Sequence, residues 1–213
     1  MTQIQVLKYI SLITDRNPEA AFQVRVSGGA IRDTDYGKRL KDIDIFCLYP
    51  SHYSEEQLTT WVQSEARSLG GVNLVRVNPE NDYETNFNGI HSVWNFRLVY
   101  ENHWYDCQFI LQQNDAGESV ERQIMNKFDL TVSQALIKLD PTEDAGLKYV
   151  VVKSEGYKQS KLDNTIRLTD FGKAQTPEHR RKTKDRAQRF STKLDLAIEL
   201  RWNDGEVYSA VLV

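Results

Sequence analysis

The chain has 213 residues, 40% of them hydrophobic, enough for one substantial core with a smaller appended layer and too few for several full domains. A formal charge of -3, from 27 Lys and Arg against 30 Asp and Glu, excludes a surface coated in nucleic-acid-binding charge while leaving room for a local basic patch. No run reaches the roughly 18 apolar residues of a membrane span, and MTQIQVLKYISLITDR lacks the basic region and unbroken apolar stretch of a signal peptide, so a soluble cytoplasmic protein without membrane contact is expected.

Ile4, Leu7, Ile10 and Ile13 recur at helical spacing and predict an opening helix. FQVRVSGG alternates Phe22, Val24 and Val26 with polar residues and stops at paired glycines, which predicts a strand entering a tight turn. A short helical or looped piece carries residues 33–41 into a second strand, IDIFCLY. Residues 54–69 predict a helix, with Ser54 as N-cap and Gln57 three places on, ending at Gly70 and Gly71. VNLVRV, VWNFRLVY and WYDCQFIL then predict a sheet, separated by turn-forming NPEND and ENH. After Asp129 come a short apolar segment (VSQALIKL), a strand-like LKYVVV, and a helix over about 177–194 with Thr176 as cap and Pro177 in its first turn. The irregular alternation predicts an α/β (α+β) fold, a mixed sheet flanked by helices with a small basic helical segment at the C-terminus. The division is residues 1–155 as the catalytic domain and 156–213 as a basic extension packed on it. Cys47 and Cys107 sit in apolar runs and read as buried reduced thiols.

Chemistry concentrates in SGGAIRDTDYGKRLKDIDIF, residues 27–46. Paired glycines let backbone amides approach a triphosphate, although Gly28 and Gly29 alone also suit an ordinary strand-to-helix turn. On a strand, Asp42 and Asp44 share one face, and a divalent cation is the simplest way to keep both ionised; a solvated acidic strand end is the alternative. Asp106 stands in WYDCQFIL, a segment built to be buried, so its carboxylate needs a partner. Metal coordination supplies one, and a salt bridge to Arg97 or another strand residue is the alternative. Together the three acids beside a glycine turn point to a two-magnesium site, with Mn2+ as the substitute ion.

Gly28, Gly29, Ile31, Arg32, Asp33, Gly37, Asp42 and Asp44 match the G-G-x-[VI]-R-D, glycine loop and D-x-D of the tRNA nucleotidyltransferase and bacterial poly(A) polymerase head, within the DNA polymerase β-like superfamily. The chain resembles that family. Phe128-Asp129-Leu130-Thr131-Val132-Ser133 is similar to its R-R-D-F-T-I-N segment, without the paired arginines and with Ser133 for asparagine. With Gln134 it also resembles an F-D-x-x-x-x-Q pattern of short, virus-encoded nucleotidyltransferases. Arg186-Ala187-Gln188-Arg189-Phe190 resembles the family's R-A-x-R-F helix, and Glu178 to Arg181 echoes its E-D-x-x-R element without the aspartate.

The resemblance implies metal binding by Asp42 and Asp44, and with Asp106, taken from the reading of its strand, these are the expected catalytic and metal-binding residues. The same resemblance implies nucleotide contacts by Ser27, Gly28, Gly29, Arg32, Asp33, Lys41, Asp129, Thr131, Arg186 and Arg189. The implied reaction moves a nucleoside monophosphate from ATP or CTP to a hydroxyl, with an RNA 3′ end, such as that of tRNA, as acceptor. Transfer to a protein or small molecule, and a nucleotide- or RNA-binding module without turnover, are the competing readings. The basic stretch over about 157–194 is the candidate surface for acceptor phosphates. His52, His91, His103 and His179 lack metal-ligand spacing.

Overall fold

The computed structural model describes residues 3–14, 22–77, 90–142 and 146–210. Chain order is α1 (Ile4–Thr14), β1 (Gln23–Ser27), α2 (Gly29–Asp35), β2 (Asp42–Tyr49), α3 (Glu55–Ser68), β3 (Gly71–Val77), β4 (Ile90–Tyr100), β5 (His103–Gln113), α4 (Val120–Met125), a 3-10 turn (Thr131–Ser133), β6 (Ala135–Thr142), β7 (Gly146–Lys153), α5 (Glu155–Leu162), β8 (Thr165–Ile166), α6 (Asp170–Lys173), α7 (Pro177–Leu194), β9 (Ala197–Arg201) and β10 (Val207–Ala210).

A mixed seven-stranded sheet runs β3-β4-β5-β2-β1-β6-β7. Among its pairings only β2 with β5 is parallel, the crossover between them carrying α3, β3 and β4. Alternation sorts the side chains: Val24, Val26, Ile43, Ile45, Phe96, Cys107 and Phe109 face one side, where α1 and α3 close the main core. Leu7 and Ile10 of α1 are fully buried there, and each such side chain contributes roughly 1.5–3 kcal/mol. On the opposite face, Phe46, Leu48, Ile110 and Leu136 pack with Ile124 of α4.

Local signals act as their chemistry dictates. In α3, Ser54 Oγ accepts from the Gln57 amide at 3.3 Å and Gln57 Oε1 accepts from the Ser54 amide at 2.8 Å, a reciprocal cap worth about 1 kcal/mol. Between β4 and β5, Glu101 and Asn102 take φ 49° and 63°, the two-residue hairpin geometry whose twist suits antiparallel strands. The NPEND turn lies outside the described residues. Cys47 and Cys107 are buried and free, and burial pushes both thiols up.

The C-terminal region departs from the expected helical segment. It holds a second sheet, β10-β9-β8, and a core of its own in which Leu130, Val132, Ile166 and Leu168 meet Ala187 and Leu194 of α7 and Leu196, Ile198, Leu200 and Trp202. Pro177 opens α7, but the Thr176 hydroxyl engages His179 Nδ1 at 2.6 Å instead of capping a backbone amide.

Candidate active site

The glycine turn is forced by its surroundings. Gly28 holds φ 71° and ψ -127°, and a Cβ there would stand 3.0 Å from the Phe128 ring and 3.7 Å from Asp44 Oδ2. Only glycine takes that conformation without strain. The Gly28 amide donates to the Ala135 carbonyl at 2.9 Å, leaving Gly29 and the first-turn amides of α2 as the groups beside the cleft. Ser27 is fully buried and its hydroxyl donates to the same carbonyl at 2.7 Å, so it ties β1 to β6 and does not line the cleft.

Asp42 and Asp44 project from the same face of β2 into a cleft of about 490 Å³. Lys41 and Gly29 line it beside them, and Phe128 floors it. Burial, then the charge of Asp42, push the Asp44 carboxyl up to about 7, with Arg32 the opposing influence. An acidic pair under that stress suits a divalent cation.

The opposite wall is α7. His179, Lys182, Thr183, Arg186, Arg189, Phe190 and Lys193 all line the cleft and recur every three or four residues, one face of a helix. Two groups of contacts anchor this helix. Asp129, 4% exposed, accepts from Arg186 Nη1 at 2.7 Å and from the Thr183 hydroxyl at 2.9 Å. Arg32 pairs with Asp33 (Nε to Oδ1, 3.0 Å) while its guanidinium lies 3.7 Å from the Phe190 ring centroid, and Asp33 also takes Lys193 Nζ at 2.5 Å. The two neighbours in the G-G-x-x-R-D segment therefore join α2 to α7 along the cleft's inner edge.

Besides Ser27, two more expected residues stand elsewhere. Thr131 is buried, its hydroxyl 2.7 Å from that of Ser160 and 3.1 Å from the Arg167 carbonyl, so it braces the turn before β6 and does not line the cleft. Asp106 corrects the expectation of a buried carboxylate. Its side chain is 66% exposed and pairs with Arg97 at 3.0 Å, the alternative raised by the sequence. It is the register partner of Asp42, yet no cluster of three or more His, Cys, Asp or Glu suited to a metal ion forms among the described residues. The expected convergence of three carboxylates is thus a pair, Asp42 and Asp44, with the third acid one strand away and held by an arginine.

The fold is similar to that of solved structures. A CCA-adding enzyme in complex with ATP superposes with a TM-score of 0.61 at 20% identity, over 92% of this chain and 40% of that one. A tRNA nucleotidyltransferase complexed with a primer tRNA and an incoming ATP analogue gives 0.53 at 18%, over 87% and 46%. A CCA-adding enzyme with CTP gives 0.55 at 21%, over 92% and 39%. The fold is that of the CCA-adding enzymes. This chain spans about two fifths of the length of those CCA-adding enzymes. No protein-family model matches it, and no curated protein does.

Within the CCA-adding-enzyme fold, sequence reading missed Lys182, Thr183, Phe190 and Lys193 as cleft residues. Their signal was present as the helical spacing from His179 to Lys193, masked because the same segment also reads as an evenly charged surface helix. Much of that charge is internally matched: Arg180 pairs with Asp204 and Glu206, and Lys184 with Glu206, on the side toward β10.

Proposed function

We propose that this protein transfers a nucleoside monophosphate from ATP or CTP to a hydroxyl at the 3′ end of an RNA, tRNA being the favoured acceptor, with release of pyrophosphate. The observation that carries the reading is the Asp42–Asp44 pair, set beside the Gly28–Gly29 turn and faced across one cleft by the cationic stripe of α7. A sheet-borne acidic pair and a helix-borne basic face are what a magnesium nucleotide requires of a site.

In this mechanism Gly29 and the free amides of α2 receive phosphate oxygens, Arg186, Arg189 and Lys193 balance the charge of the departing pyrophosphate, and Arg32 with Asp33 shapes the inner end of the pocket. Phe128 and Phe190 exclude water. Asp42 and Asp44 would hold Mg2+, with Mn2+ as substitute and two ions in the complete site; bound there, the ions polarise the α-phosphate and lower the pKa of the attacking hydroxyl. Asp106 joins only by leaving Arg97. Where the solved CCA-adding enzyme and tRNA nucleotidyltransferase bind ATP, CTP and primer tRNA, the same ligands are assigned to this chain.

Incubation with labelled ATP or CTP, magnesium and total RNA tests the reading. Label enters a ribonuclease-sensitive product, and Asp42→Ala or Asp44→Ala lowers the rate by about a thousandfold or more. Transfer that survives both substitutions refutes it; label that resists ribonuclease moves the acceptor to protein or a small molecule.

A further inference from the structure

The catalytic face of the sheet is covered on one side of β2 and bare on the other. Toward β1 and β6 it is roofed by α4, whose Ile124 packs with Phe46, Leu48 and Leu136 and whose Glu121 pairs with Arg25 and Lys138. Toward β5, β4 and β3 it carries Trp104 at 64% exposure, Val99 at 43%, Val72 at 42% and Val75 at 59%. The register aligns these into one surface: Val99 opposes Trp104, Arg97 opposes both Asp106 and Val72, and Asn95 opposes both Gln108 and Val75. Opposed residues point to the same face. Trp104, Asp106 and Gln108 alternate along β5 on the side of Asp42 and Asp44, Asp106 being the register partner of Asp42.

A large indole and three valines left in water on a sheet face are a docking surface. Its continuity with the acidic pair names the occupant. The inference rests on the transfer reaction proposed above, in which the attacking and leaving oxygens lie roughly in line. With the triphosphate on the Gly28–Gly29 side of Asp44, the hydroxyl must come from the side of β5, across Asp106.

We infer that the open face of β3, β4 and β5 is the platform for the single-stranded end of the nucleic-acid acceptor, whose bases stack on Trp104 and whose phosphate takes Arg97 from Asp106. An indole offers its ring to any base, and a guanidinium fork matches a phosphate as well as a carboxylate. The Arg97–Asp106 pair is held only by an exposed contact, 58% and 66% accessible, so a phosphate can displace the carboxylate at small cost. Its release would free Asp106 beside Asp42 only when an acceptor is present.

Binding of a fluorescein-labelled oligoribonucleotide of about eight residues, followed by anisotropy without magnesium, tests the platform. Trp104→Ala weakens binding about tenfold. Arg97→Gln lowers the slope of log affinity against log salt by about 0.7, the signature of one lost phosphate contact to a single strand. Both variants keep wild-type ATP affinity, because neither residue lines the nucleotide cleft, and both keep the wild-type melting temperature, because both side chains are exposed. RNA affinity and salt slope unchanged in both variants, or no RNA binding by the wild type, overturns the platform even if transfer is intact. Self-association that is abolished by Trp104→Ala while RNA binding is unaltered overturns it too, making the face an interface between copies. Loss of the transfer reading shows differently, as activity persisting in Asp42→Ala and Asp44→Ala while this RNA binding stands.

Discussion

Two regions of the cleft handle charge in opposite ways. On β2, Asp42 and Asp44 are placed together with Arg32 as the counterweight, and Asp44 is pushed up to about 7. On α7, at least four of the seven Lys and Arg are ion-paired: Arg186 has Asp129, Lys193 has Asp33, and Arg180 and Lys184 share Glu206. The helix uses part of its charge to fasten itself to the sheet; the strand carries two carboxylates that no ion pair among the described residues relieves. Unrelieved electrostatic stress on β2 is what supports the proposed chemistry there, whereas Arg186 and Lys193 serve both the scaffold and the proposed site.

The sharpest way to break this contrast is Asp44→Asn. Transfer should fall by about a thousandfold, while metal-free stability at pH 8 rises by about 1 kcal/mol, or roughly 2–4 °C in melting temperature, after discounting for partial exposure. The sign follows from linkage. The native Asp44 keeps a proton up to about pH 7 that the unfolded chain gives up near pH 4, so the wild type loses stability across that window as pH rises. Magnesium reverses the loss, and its apparent affinity should drop as pH falls below 7. A wild-type melting temperature that tracks the Asn variant from pH 5 to 8 contradicts the stress assigned to β2.

On the helix the same kind of change should do the reverse. Asp129→Ala leaves Arg186 without its buried carboxylate and the Thr183 hydroxyl with Gln175 Oε1 as its remaining acceptor, and should cost about 2–3 kcal/mol, a melting-temperature drop of roughly 5–10 °C. Gly28→Ala tests the turn that sets both walls against each other: a positive φ and a Cβ pressed on Phe128 should cost about 2 kcal/mol, read by chemical denaturation. Smallest is Arg189→Ala. Arg189 is exposed at the cleft and has no ion pair among the described residues, so KM for the nucleotide should rise about tenfold with the melting temperature unmoved.

The acidic pair and its turn were legible because their signals are local. A strand's period of two places Asp42 and Asp44 together whatever surrounds them, and the paired glycines need only a backbone conformation. Ser54 and Gln57 cap α3 for the same reason. Asp106 was misjudged because WYDCQFIL was read by composition; its alternation sends Tyr105, Cys107, Phe109 and Leu111 inward and Trp104, Asp106 and Gln108 outward. Ser27 and Thr131 have hydroxyls whose partners, Ala135 and Ser160, are remote in sequence or fixed only by tertiary packing. The small sheet escaped because β8 has two residues and joins β9 across the whole of α7.

The stack of Arg32 on Phe190 has a mechanical consequence. A guanidinium has one plane, and here that plane is shared between the ring on α7 and the carboxylate of Asp33. Any phosphate that draws Arg32 outward must peel it from the ring, so ligand entry at the floor of the cleft and the seating of its far wall are a single equilibrium. The helix is then a lever whose fulcrum is Asp129 and whose handle is one arginine.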